Sequence, residues 1–205
     1  MTVRVVTPPT VEPVTLAEAK EHLRFDTSLG SYQDALISAL ITAVRIYAEN
    51  YTRRALVQQT LEYTCDEFPE EFVLPMPNLL AVDHIKYVDY DGALQSLASS
   101  VYQVDYNSVP GRIKLAYNQT WPSLVRCTDY NAVRVQYLAG YAAVGSPTDD
   151  DALRAGVPEV VKQWMKIRLA NYHALPQSII TGTIVSAMPR DFCDALLDSV
   201  CVGIF

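Results

Sequence analysis

Residues 31–52 read SYQDALISALITAVRIYAENYT, and this stretch decides how the rest of the chain can be organised. Ser31 is a suitable N-cap, so we predict one long amphipathic helix that buries a single face. The apolar side chains that recur at helical spacing are Ile37, Leu40, Ile41, Val44, Tyr47, Ala48 and Tyr51. The side chains expected on the opposite, solvated face are Asp34, Ser38, Thr42, Arg45, Glu49 and Arg53.

Between these two faces lies a flank of small and apolar side chains. Small residues at positions i, i+4 and i+8 let another helix approach closely. Two interpretations stay open: the flank packs inside its own subunit, or it contacts another copy of the chain. The flank consists of Ala35, Ala39, Ala43 and Ile46.

Three further helices are predicted outside this stretch. Thr15 and Glu18 form a capping box that begins a short helix. Pro158 suits the first position of another helix, which should pack against the 31–52 helix and turn Lys162 and Lys166 to solvent. Residues 191–202 form a third, short amphipathic helix.

From residue 56 to residue 141 the helical spacing gives way to short runs rich in Tyr, Val, Thr and Leu. The dipeptides Asp91-Gly92 and Pro110-Gly111 are typical of turns, because each offers a glycine where the chain must take a positive φ. The predicted strands are 56–65, 72–74, 84–90, 102–106, 112–115 and 132–139.

These elements predict an α+β fold in which both chain ends build one helical domain around an inserted antiparallel β domain. Residues 145–156 are expected to form an acidic loop between the two domains. Residues 177–188 carry no charged side chain and would aggregate if left exposed. The predicted divisions are an N-terminal extension (1–13), a helical core (14–55 and 157–175), a β insertion (56–141) and a C-terminal arm (176–205).

Composition narrows the class of protein. The chain has 205 residues, of which 50% are hydrophobic and 19% charged, so it should bury a real core. Its net charge of −7 argues against tight binding of nucleic acid. No apolar stretch is long enough to suggest a membrane span, and no signal peptide is recognisable. The four cysteines lack metal-ligand spacing, so we expect free thiols in a reducing compartment, with no metal and no cofactor.

Catalytic chemistry finds little support in the sequence. His22, His84 and His173 each stand alone, without a known catalytic or metal-binding motif around them. A remote alternative is a hydrolase that uses His84 with Asp83 or Asp89. Strand alternation places those two aspartates on the face opposite His84, which weakens this alternative.

Several short motifs follow one another in an order that resembles a known family. They are PVTLAEAKEHLR (13–24), YTRRAL (51–56), YQVD (102–105), PGRI (110–113), WP (121–122), VRV (133–135) and AGY (139–141). In this order and spacing they resemble the head-tail connector (adaptor) family of tailed bacteriophages and the related gene transfer agents.

The resemblance implies a structural, non-enzymatic protein of the virion neck, assembled in the bacterial host cytoplasm. It would form a homo-oligomeric ring of twelve subunits that docks on the portal protein, holds the tail-side neck or stopper protein, and lets DNA pass without specific binding. The alternative within the same neck is a stopper or tail-terminator ring. The 35–46 flank would then be the ring interface. The expected portal-docking residues are Ile179, Ile180, Ile184, Val185, Met188, Phe192, Leu196, Leu197 and Val200.

Overall fold

The computed structural model describes residues 2–25, 31–123, 130–174 and 190–203, with the backbone alone at 190–193. The chain divides into two compact units. The β unit comprises residues 1–10 and 53–142, and the helical unit comprises residues 11–52 and 143–205. Helices together with antiparallel sheets confirm the predicted α+β class.

The helical unit is built around two antiparallel helices. Its helices are α1 (Leu16–His22), α2 (Asp34–Thr52), α3 (Asp150–Gly156), α4 (Glu159–Ala174) and α5 (Arg190–Asp198). The start of α2 lies beside the end of α4, because His173 Nε2 is 3.0 Å from Gln33 Oε1. Farther along, the ring of Tyr47 stacks on Trp164 with centroids 5.7 Å apart. The predicted packing of these two helices is therefore confirmed.

The predicted capping box at α1 is present. The Thr15 hydroxyl accepts from the Glu18 backbone N–H at 3.1 Å, and the Thr15 backbone N–H donates to Glu18 Oε2 at 2.7 Å. Burial acts to raise the pKa of Glu18, but the hydrogen bonds from Thr15 and the charges of Lys166 and Lys162 outweigh it and lower that pKa. The ionised carboxylate of Glu18 therefore stabilises the folded state.

We expect Thr15→Ala to lower the free energy of unfolding by about 1 kcal/mol at neutral pH, the usual effect of losing an N-cap. Urea unfolding of this variant and the wild type measures the difference.

Because the pKa of Glu18 is lowered in the folded protein, the contribution of Glu18 to stability is present above the pKa of the unfolded carboxyl and is lost as the pH falls through the folded pKa. Urea unfolding of wild type and Glu18→Gln should therefore differ at neutral pH and converge in acid. A difference between them that does not change with pH would contradict this account.

The β unit contains two antiparallel sheets. Its strands are β1 (Thr2–Thr7), β2 (Gln59–Cys65), β3 (Glu71–Val73), β4 (Leu79–Val88), β5 (Leu94–Ser96), β6 (Tyr102–Asp105), β7 (Arg112–Leu115) and β8 (Val133–Ala139). One sheet has the order β1-β2-β8-β4-β5, and the other has the order β3-β7-β6. The central strand β8 alternates as expected, since Val133, Val135, Tyr137 and Ala139 are all buried.

The structure contradicts one predicted division and one predicted loop. The first residues are no extension, because β1 pairs with β2 and forms an edge of the larger sheet. Residues 150–156 are not part of a loop, since Asp149 caps α3 by accepting from the Asp151 backbone N–H. The strand β5 was also not predicted. Its side chains are all exposed, so it lacks the apolar alternation that identifies a strand.

The glycines at the predicted turns behave differently from each other. Gly92 takes φ +82° in the turn between β4 and β5, as expected. Gly111 does not take a positive φ; its missing side chain leaves room for Leu79, whose Cβ would lie 2.6 Å from a Cβ at this position. Gly140 combines both constraints, with φ +136° and the Val57 backbone 2.7 Å from the position of a Cβ.

Candidate assembly surfaces

The outer face of α2 is apolar and exposed. Tyr32, just before the helix, is 67% exposed, and along the helix Leu36 is 53% exposed and Ile46 46% exposed. Ala39 and Ala43 lie between them on the same face and are exposed too. Exposed apolar side chains that line one helix face typically mark an interaction surface.

The charged side chains of α2 are turned inward. Arg45 and Glu49 are each only 6% exposed, and Arg45 Nη1 donates to Glu49 Oε2 at 2.7 Å. Arg45 Nε also donates to Glu12 Oε2 at 2.8 Å, and the Thr42 hydroxyl donates to the other oxygen of Glu12. The helix thus buries its ion pairs and presents uncharged side chains to solvent, which reverses the usual pattern.

Our expectation that Arg45 and Glu49 face solvent is therefore wrong. The amphipathic pattern assigns charges to the outside, but the carboxylate of Glu12 supplies a partner that makes burial of Arg45 possible. The ring-interface residues predicted from the sequence all lie on the outer face: Ala35, Ala39, Ala43 and Ile46 are exposed in the single chain. Within the residues that the structure describes, this flank is not packed inside its own subunit. Its role between subunits stays a prediction.

The C-terminal helix α5 is anchored on α4 by a buried carboxylate. Asp194 is 5% exposed, and its Oδ1 accepts from Trp164 Nε1 at 3.1 Å and from Arg168 Nη2 at 3.2 Å. The Arg168 guanidinium also lies over three aromatic rings, with distances of 5.4 Å to Tyr47, 5.5 Å to Trp164 and 6.0 Å to Tyr172.

The end of α5 is also held against α2. The Tyr51 hydroxyl donates to Asp198 Oδ1 at 3.0 Å, and this hydrogen bond raises the pKa of Tyr51 to about 12. Beyond the helix, the Val202 backbone N–H donates to the Thr52 carbonyl at 3.0 Å. The last described residues are thus part of the helical unit and do not form a separate arm.

This anchoring shows that the prediction of Leu197 as a portal-docking residue is wrong for this conformation. Leu197 is completely buried, because it faces the interior of its own helical unit, so it is not available to a partner in this conformation. Leu196 is 37% exposed, and Val200 is partly exposed. Phe192 lies in α5, but its side chain is outside the described residues. The remaining predicted docking residues also lie outside the described residues: Ile179, Ile180, Ile184, Val185 and Met188.

The residues of the hydrolase alternative do not assemble into a catalytic group. Asp83 Oδ2 accepts from Gln136 Nε2 at 3.3 Å. Asp89 closes its own turn by accepting from Gln95 Nε2 at 2.7 Å and from the Ala93 backbone N–H at 2.9 Å. These hydrogen bonds lower the pKa of Asp89, and the bond from Gln95 has the largest effect. The carboxylate of Asp89 therefore stabilises the turn as a hydrogen-bond acceptor.

In the part of the chain that the structure describes, no group of three or more His, Cys, Asp or Glu side chains is arranged to hold a metal ion. Among the same residues, no helix has the length and apolar character needed to cross a membrane.

Comparison with known proteins gives a family model that matches about half of the chain. Residues 13–109 match the family model described as phage gp6-like head-tail connector protein. The resemblance read from the sequence is confirmed. The comparison with curated protein sequences gave no match.

Solved structures with the same fold come from gene transfer agent (GTA) particles. The chain is 19% identical to one in the neck of an empty GTA particle, computed with C6 symmetry, with a TM-score of 0.77. It is 20% identical to one in the virion of a native GTA particle, with a TM-score of 0.74. A third, in the neck of a native GTA particle computed with C12 symmetry, is 20% identical with a TM-score of 0.66. Each match covers 100% of this chain and 98% of the other chain.

Proposed function

We propose that this protein is a structural head-tail connector of a phage or phage-like particle. Copies of the chain form a ring at the capsid vertex, continue the DNA channel below the portal, and attach the tail or the next neck protein. The observation that carries this proposal is the likeness in fold to a neck chain over essentially the full length of both chains. The head-tail connector family model matched by residues 13–109 supports the same role.

The ring is proposed to contain twelve subunits. The C12 symmetry of one neck structure with this fold supports that number. The outer face of α2 supports assembly independently, because its apolar side chains are exposed while the charges of the same helix are buried. A chain that acted alone would gain nothing from this arrangement.

The site of portal contact is proposed to be the uncharged segment 177–188 together with the exposed side of α5. The segment needs burial on grounds of composition, since it contains four β-branched apolar side chains and no charge. On α5, the apolar side chain of Leu196 is 37% exposed and can contribute to such a contact. DNA would pass without specific binding, since the chain carries a net charge of −7.

Binding to a purified portal ring tests the proposal and separates it from the other neck roles. Mixing the chain with portal should give a complex whose mass corresponds to one added ring, whereas a stopper or tail terminator should not bind portal directly. Ile184→Asp should weaken this complex at least tenfold. Truncation before α5 is unsuitable as a test, because it would remove the buried Asp194 anchor. Failure of the wild-type chain to bind portal would overturn the connector role.

A non-enzymatic role predicts that the histidines are dispensable. We expect the triple variant His22→Gln, His84→Gln, His173→Gln to support normal yields of tailed particles, because glutamine retains hydrogen bonding but cannot act as a proton-transfer base. The measurement is particle yield in a host that lacks the wild-type gene. Collapse of the yield with a soluble, folded variant would show that a histidine has a chemical role.

A further inference from the structure

Apart from Glu159 at its first position, the helix α4 has an uncharged outer face like that of α2. Its cationic side chains are turned toward the rest of the helical unit: Lys162, Lys166 and Arg168 are each at most 16% exposed. Lys166 lies 3.8 Å from Glu18, and Arg168 pairs with Asp194. Glu159 is exposed at the beginning of the helix, where its Oε1 accepts from Gln163 Nε2 at 3.2 Å. The uncharged side chains of the outer face are Val160, Gln163, Ile167, Ala170 and Ala174, all of them partly or fully exposed.

The two outer faces have matching spacing and length. The side chains on the outer face of α2 follow one another in steps of 3, 4, 3 and 4 residues along the sequence. They are Leu36, Ala39, Ala43, Ile46 and Asn50, and this row is called the α2 stripe. The five uncharged side chains from Val160 to Ala174 on α4 are spaced by the same steps and form the α4 stripe. This alternation of 3 and 4 is the spacing of side chains along a helix–helix seam. At 1.5 Å per residue each stripe is about 21 Å long.

The two stripes lie on opposite sides of the helical unit. The helices pack against each other through buried side chains such as Ile37 on α2 and Val161 on α4. At 100° per residue, Ala39 lies about 200° around α2 from Ile37, and Ala170 lies about 180° around α4 from Val161. Each stripe therefore faces away from the partner helix, and the unit presents one uncharged stripe in each of two opposed directions.

We propose that the α2 stripe of one copy packs against the α4 stripe of the next copy, and this contact between copies is called the seam. This inference rests on the proposed connector function. Two different surfaces on opposed sides of one subunit make a head-to-tail contact, which closes into a ring when the rotation between copies permits. A stripe about 21 Å long and roughly 10 Å wide is far smaller than the roughly 800 Å² per partner of a stable dimer. The seam therefore fits a closed ring, where every copy uses both stripes, better than a free pair.

Cysteine cross-linking in assembled particles tests which surfaces meet. Ala43→Cys and Ala170→Cys lie near the middle of their stripes, so their proximity does not depend on whether the two helices run parallel or antiparallel. A short bismaleimide added to particles that carry both substitutions should give a ladder of dimers, trimers and larger species. Each single-cysteine variant, and the wild-type chain with its four native cysteines, should give no ladder and no new dimer.

A second measurement uses charge. Ala39→Glu should reduce incorporation into particles at least tenfold while the purified chain stays folded, because it places an unpaired carboxylate in an uncharged seam. Ser38→Glu is the matched control, since Ser38 is also exposed but points about 100° away from Ala39 around the helix. It should be incorporated like wild type.

The outcomes separate the seam from the connector function. Dimers formed by Ala43→Cys alone would show that α2 meets α2 and would overturn the seam. Absence of a ladder from particles that contain the doubly substituted chain, or normal incorporation of Ala39→Glu, would also overturn it and leave the connector function standing. Absence of the wild-type chain from particles would refute the connector function, and the seam with it.

Discussion

Asp194→Ala is expected to lower the free energy of unfolding of the helical unit by about 3–5 kcal/mol, the usual cost of removing one partner from a buried ion pair. The substitution leaves the Arg168 guanidinium without its carboxylate and the Trp164 indole N–H without its acceptor. Both groups are largely buried, so water cannot fully replace the lost carboxylate. Urea unfolding followed by tryptophan fluorescence measures the effect, because Trp164 is part of the contact.

Asp198→Ala is the matched control for this prediction. Asp198 lies on the same helix and accepts a hydrogen bond from Tyr51, but it is exposed. We expect a loss of at most about 1 kcal/mol, as for other exposed polar contacts. Asp194→Asn should fall between the two, since an amide oxygen can still accept from Trp164. Equal effects of Asp194→Ala and Asp198→Ala would show that the buried carboxylate does not anchor α5.

Gly140→Ala is expected to destabilise the β unit by roughly 3 kcal/mol or more, which places it among the severe single substitutions. Its φ of +136° is strained for any residue with a side chain. A Cβ would in addition lie 2.7 Å from the carbonyl carbon and oxygen of Val57 and 2.8 Å from the Gln58 nitrogen. These are backbone atoms directly before β2, so the clash cannot be relieved by a side-chain rotation.

Gly92→Ala separates the two components of this effect. Gly92 also has a positive φ, +82°, but no atom lies within 4 Å of the position its Cβ would take. Only the backbone strain remains, so we expect a loss of about 1 kcal/mol. Thermal unfolding of the two variants gives the comparison. If Gly140→Ala were no more destabilising than Gly92→Ala, the close approach of Val57 would have no energetic importance.

Local patterns were enough to predict most of the secondary structure. The long helix, the capping box at Thr15 and the strand at 112–115 follow from spacing and from residue type within a few positions. The strand β1 could not be predicted in the same way, because it is defined by pairing with β2 more than fifty residues later. Its own side chains are mostly exposed and give no clear alternation.

The candidate assembly surface was only partly predictable. The flank at 35–46 was recognised from its small residues, and it is exposed in the single chain. The extent of the uncharged face was missed, because sequence patterns place Arg45, Lys162 and Lys166 in solvent by default. Arg45 and Lys166 instead lie near carboxylates of other elements, which only the tertiary structure brings together. Lys162 pairs with Glu159, three residues earlier in the same helix.

The position of β8 constrains the order in which the protein can fold during synthesis. This strand lies third of five in the larger sheet, between β2 and β4, yet it ends at Ala139. At roughly 5–20 residues per second, β1 and β2 wait several seconds on the ribosome before their central partner emerges. Folding of the helical unit is delayed further, because α4 and α5 are the last elements to be synthesised. Both units therefore become complete only as the final third of the chain is made, and the apolar face of α2 is exposed to other nascent chains throughout that interval.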